Sequence, residues 1–114
     1  PFYAPTVKVK EMGAENGKWV IGTPGKPDNT GDQKILDRLW GATFLPVLQE
    51  LDENVASPAE IDMGAGLALR FGKPPCATMD SMGVAEVGRL LGYYCEKYQL
   101  DTPRAIERVG SLVD

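Results

Sequence analysis

No histidine occurs anywhere in the 114 residues. That absence removes Ser-His-Asp and Cys-His nucleophile pairs, histidine-ligated zinc and imidazole acid–base work from the repertoire of these residues. Cysteine is scarce as well: Cys76 and Cys95 are the two, and neither belongs to a CxxC pair. They are too few for a disulfide framework and read as reduced packing residues of a cytoplasmic protein. No apolar run approaches the roughly 20 residues that span a bilayer, so no membrane span is expected. Positive charge is not in excess either. Twelve Lys and Arg against 16 Asp and Glu leave a net charge of -4, which argues against nucleic acid as a partner. The opening Pro1-Phe2-Tyr3-Ala4-Pro5 has no Met and no basic-then-apolar pattern, so the chain is expected to be a domain cut from a longer polypeptide.

What is present is an ordinary globular composition, 43% apolar and 25% charged, with a change of character near residue 31. The first part is rich in Pro and Gly. Within it, Thr6-Val7-Lys8-Val9-Lys10 alternates at period two and Lys18-Trp19-Val20-Ile21 is β-prone, with Asn16-Gly17 between them. This pattern predicts an N-terminal arm or short β-hairpin over 1–30, with Trp19 and Ile21 packed on the body that follows.

From residue 31 to 114 the pattern is helical. Thr30-Gly31-Asp32-Gln33 fits a capping box, and apolar residues then recur at helical spacing from Ile35 to Leu51. Pro46 and Gly41 predict a kink rather than a break, and Asn54 a stop. Ser57-Pro58-Ala59-Glu60 combines a capping box with Pro at the first helical position and opens a second helix ending near Gly72. The small residues Gly64, Ala65, Gly66 and Ala68 suit close approach of a neighbouring backbone. A short helical turn is expected over 77–80, an amphipathic helix over 84–98, and a last helix from Thr102-Pro103 carrying Ile106, Val109, Leu112 and Val113 on one face. The fold class is therefore mainly α.

Candidate chemistry resolves mostly into structure. Gly64-Ala65-Gly66 begins like a dinucleotide fingerprint, but a capped helix precedes it and Leu69 fills the third glycine's place. Asp52, Glu53, Glu60 and Asp62 read as caps and helix-terminal charges rather than paired acid–base carboxylates. Asp80 is expected to cap a helix or hold a loop by accepting backbone amides. No catalytic, cofactor-binding or metal-ligating residue is assigned. Trp40, Phe44, Phe71, Tyr93, Tyr94 and Tyr98 read as packing aromatics. The stripe on the first long helix is wider than one partner helix covers, so Trp40, Phe44, Val47 and Leu51 are the candidate cleft or interface face, against another domain or a second copy.

Asp37-Arg38-Leu39, running on to Ala56-Ser57-Pro58-Ala59-Glu60-Ile61-Asp62-Met63, resembles the helical C-terminal domain of the 3-hydroxyacyl-CoA dehydrogenases. That family carries Asn-Arg-Leu-Leu on a long helix, then Ser-x-Glu-Asp-Ile-Asp opening the next. Phe71-Gly72, Pro74-Pro75-Cys76 and Met79-Asp80-Ser81-Met82-Gly83 are similar to its Gly-rich helix end, Gly-Pro-Phe turn and Leu-x-Asp-x-x-Gly segment, over residues 33–113 in all. The resemblance implies a fold like the 6-phosphogluconate dehydrogenase C-terminal domain. It also implies a parent enzyme that oxidises the 3-hydroxyl of an acyl-CoA with NAD in fatty-acid β-oxidation. In that family the catalytic His-Glu pair and the NAD site lie in a separate N-terminal domain. The family's active-site Asn corresponds to Asp37 here, and a carboxylate cannot donate as an amide does. With the altered Pro74-Pro75-Cys76 turn, this implies a second, non-catalytic copy, as in multifunctional enzymes, some of which fuse an enoyl-CoA hydratase. Phe2-Tyr3 resembles the end of a first copy's Gly-x-Gly-Phe-Tyr tail. Expected partners are the parent's other domains, its acyl-CoA and a second copy of the chain. Two alternatives stay open: the catalytic-side helical domain with Asp37 tolerated, and a stand-alone helical protein-interaction module.

Overall fold

The computed structural model describes residues 4–18 and 31–113. Five α-helices follow in order: α1 (Val7–Ala14), α2 (Asp32–Asp52), α3 (Pro58–Leu69), α4 (Pro75–Met82) and α5 (Val84–Tyr98). A short 3-10 helix, Arg104–Arg108, closes the chain. The protein is mainly helical, and no strand occurs among the described residues. No helix among them is long and apolar enough to cross a membrane.

Residues 6–10 do not form the expected strand. They enter α1, whose N-cap is the extended Thr6. Two β-branched valines in five residues are outweighed by the helix formers Lys8, Lys10, Glu11, Met12 and Ala14. Asn16 does take positive φ, at 50°, but it closes a helix instead of turning a hairpin. The second expected strand, Trp19 to Ile21, and Thr30 of the expected capping box lie outside the described residues.

α2 starts at Asp32 behind Gly31, with no side-chain cap. Gln33 therefore does not serve as a capping-box residue; its amide donates to Asp37 at 2.8 Å. The helix runs unbroken through Pro46 and ends as the sequence predicts. Asn54 has φ 53°, and the amides of Asn54 and Val55 reach back to Leu51 and Glu50 in a Schellman motif. α3 has the full capping box: Ser57 Oγ accepts from the Glu60 amide, and the Glu60 carboxylate accepts from the Ser57 amide at 2.8 Å.

The core is a single cluster in which Phe44, Leu48 and Leu51 of α2 meet Cys76 and Met79 of α4, Val87, Leu90 and Leu91 of α5, and Ala105 and Leu112 beyond. Each fully buried side chain of this size contributes roughly 1.5–3 kcal/mol. α2 and α5 form the main pair, and they are packed tightly at Gly41. A Cβ placed there would lie 2.6 Å from the Leu90 carbonyl oxygen and 2.9 Å from the Tyr94 ring. Tyr94 also donates its hydroxyl to the Arg38 carbonyl at 2.9 Å. Gly64 and Gly66, where a close approach was expected, face open space. The expected last helix shrinks to a 3-10 turn because Gly110, at φ 106°, turns the chain back toward Asp80.

Candidate functional site

Three aspartates that could have been acid–base candidates are committed to backbone amides. Asp62 of α3 accepts from Cys76 at 2.7 Å and Ala77 at 2.9 Å, capping α4 from outside. Asp52, in the last turn of α2, accepts from Arg104 and Ala105, both at 2.7 Å, at the start of the 3-10 helix. Asp80 accepts from Gly110 at 2.7 Å, Leu112 at 2.9 Å and Val113 at 3.0 Å. The loop-holding role read for Asp80 is the one it performs. Glu60 is spent in its capping box, whose hydrogen bonds from Ser57 hold its carboxyl below the usual range.

Asp37 is equally occupied. One oxygen accepts from Arg89 of α5 at 2.7 Å and the other from Gln33. The Arg89 hydrogen bond, then that of Gln33, hold its carboxyl down at about 2. Arg89 makes a second, bidentate pair with Glu86 at 2.7 and 2.8 Å, so one guanidinium joins two carboxylates across the α2–α5 seam. Arg38 lies over the Tyr93 ring, 3.0 Å from its centroid, and Trp40 stacks on Phe44 at 5.1 Å. Cys76 is buried and its thiol is pushed up to about 12, by burial first and by the Asp62 carboxylate second, so it is inert as a nucleophile. Among the described residues no group of three or more His, Cys, Asp or Glu side chains is placed to hold a metal ion.

The residues read as a cleft or interface face divide. Phe44 and Leu51, at 0% and 4% exposure, are consumed by the chain's own core, because α4, α5 and the 3-10 helix all close on that side of α2. Trp40 sits half-buried at the core's edge. Val47, itself buried, borders open space. The free apolar surface of α2 lies one to three turns earlier, at Ile35, Leu36 and Leu39, each about half exposed.

The open space beside Val47 is a groove of about 690 Å³ between α2 and α3. One wall carries Thr43, Pro46, Val47 and Glu50; the other carries Ile61, Gly64, Ala65 and Ala68. Both sets follow i, i+3, i+4, i+7, so each helix turns one whole face to the gap. α3 has no buried residue, and its outer side exposes Met63 and Leu67 at 61% and 78%. A helix this apolar and this exposed marks a surface that another element covers. Of the groove's lining, Val47 falls within the expected cleft or interface face and Gly64, Ala65 and Ala68 within the expected small-residue flank, but nothing in the sequence shows that the two faces look at each other.

Neither a protein-family model, nor a curated protein, nor a solved structure matches the chain.

Proposed function

We propose that the chain is a non-catalytic helical domain of an NAD-dependent 3-hydroxyacyl-CoA dehydrogenase of fatty-acid β-oxidation, working in the cytoplasm. Its fold on this reading is that of the 6-phosphogluconate dehydrogenase C-terminal domain. Its task is to brace the acyl-CoA cleft and to dock against the enzyme's other domains through the exposed Ile35, Leu36 and Leu39 of α2. NAD and the acyl-CoA belong to the parent enzyme.

One observation carries the reading. Asp37 occupies the position where the resembling family has its active-site Asn, and both its oxygens are engaged, by Arg89 and by Gln33. A side chain so committed has no free group to offer a substrate carbonyl. It also carries a negative charge where a thioester oxygen would become electron-rich. The same observation disfavours the catalytic-side alternative.

The purified chain should neither bind NAD in a titration nor oxidise a 3-hydroxyacyl-CoA above background. In the complete dehydrogenase polypeptide, Asp37→Ala should leave kcat/KM within about twofold, well short of the 10²–10³ that loss of one oxyanion donor causes. A fall of that larger size would install Asp37 in the active site and overturn the reading.

A further inference from the structure

We propose that the groove between α2 and α3 receives α1 of a second copy of this chain, giving a reciprocal dimer with two seated helices. The inference stands apart from the dehydrogenase reading, since it uses neither Asp37 nor the exposed start of α2.

Length, face and charge each point to α1. The groove walls run eight residues along each helix, 43–50 and 61–68, and α1 is eight residues long, so all three span roughly 12 Å. At 100° per residue, Val9, Met12 and Gly13 form one apolar strip on α1, with Lys8 on one flank and Lys10 on the other. The groove has one carboxylate on each wall, Glu50 on α2 and Glu60 on α3, and no cation among its lining residues. A basic-edged strip therefore meets an acid-edged slot. Gly64, where a Cβ would meet nothing within 4 Å, leaves room for a backbone to come close.

Two further features favour exchange between copies. None of the residues lining the groove comes from α1, and no residue of α1 is buried. A helix of two turns is marginal in water on its own and gains its stability from the surface that covers it. A two-fold partner covers both copies at once with the same contact.

The test is sedimentation velocity on the full 114-residue chain from micromolar to millimolar concentration, with two charge reversals. Lys8→Glu/Lys10→Glu alters α1, and Glu50→Lys alters the groove. Both sites are exposed, and each new charge suits its helix end, so folding is retained. The unaltered chain should show a monomer–dimer equilibrium, and each variant alone should dimerise at least about tenfold more weakly, as lost charge complementarity requires. Mixing the two variants should give a dimer tighter than either variant forms alone, because one of its two contacts then has both native charge pairs and the other pairs the altered α1 with the altered position 50. A chain that stays monomeric throughout overturns the proposal, and so does a dimer indifferent to the reversals. A monomer whose groove amides are protected from hydrogen exchange would mean that each chain seats its own α1, which also overturns it.

Discussion

Replacing Gly41 by alanine, a change of one methyl group, should destabilise this protein even though alanine is the better helix former. In an exposed helix the exchange gains roughly 0.5–1 kcal/mol from backbone entropy. At Gly41 the new Cβ would lie 2.6 Å from the Leu90 carbonyl oxygen and 2.9 Å from the Tyr94 ring. The ring edge could swing aside, but the carbonyl is fixed in the hydrogen-bonded backbone of α5. Relief therefore requires α2 and α5 to move apart, which loosens Phe44, Leu48, Leu90 and Leu91 together. Overpacking of this kind costs about 1–3 kcal/mol. Set against the propensity gain, the net loss for Gly41→Ala is about 1.3 kcal/mol at the middle of both ranges, or roughly 5 °C in Tm for a domain of this size. Gly66→Ala is the control, because its Cβ meets nothing, it lies off the groove, and it should stabilise by about 0.5–1 kcal/mol. Thermal and urea melts followed by circular dichroism read both. A Gly41→Ala chain as stable as the parent, or more so, would refute the close approach of the two helices.

Two other outcomes follow from the site geometry. Asp80→Ala strips the acceptor from the amides of Gly110, Leu112 and Val113, and since two of these reach water the cost should be about 2–3 kcal/mol in urea melts; a change below about 0.5 kcal/mol would mean the carboxylate does not hold that loop. The Asp37 carboxyl should titrate at about 2 by NMR, below its ordinary 3.8, because Arg89 holds the charged form. Its folded value being the lower one, the stability it lends is complete above pH 4 and drains away as pH falls toward 2. Arg89→Met should return the midpoint toward the ordinary value, and a wild-type midpoint near 4 would show the pair to be absent in solution.

Much of the helical body was readable from local chemistry. Ser57-Pro58-Ala59-Glu60 announces α3 because a capping box and an initial proline need no tertiary help. Asn54 marks the end of α2 because few residues other than glycine accept positive φ there. Asp80 could be read as a loop holder from its type and neighbours, though not which loop, since its amides lie some thirty residues on. The misreadings share one cause, the competition between local pattern and distant contact. Residues 6–10 alternate like a strand, yet five residues of alternation lose to the helix formers beside them. Residues 102–113 are periodic like a helix, yet the pull of Asp80 on three amides ends it after Arg108. The groove stayed hidden because Phe44, Val47 and Leu51 look alike in sequence and all three are buried; only the arrangement of the helices decides that Val47, and neither of the others, lines it.

The bond from Asp62 to the start of α4 ties the two walls of the groove to different parts of the molecule. α2 is fixed in the core by α5, whereas α3 is carried on α4, through Asp62 and the contacts those two helices share. α3 leans on the frame through α4 and through Ile61 at the core's edge, so the shape of the slot is decided by the α3–α4 contact and not by the pairing of α2 with α5 alone.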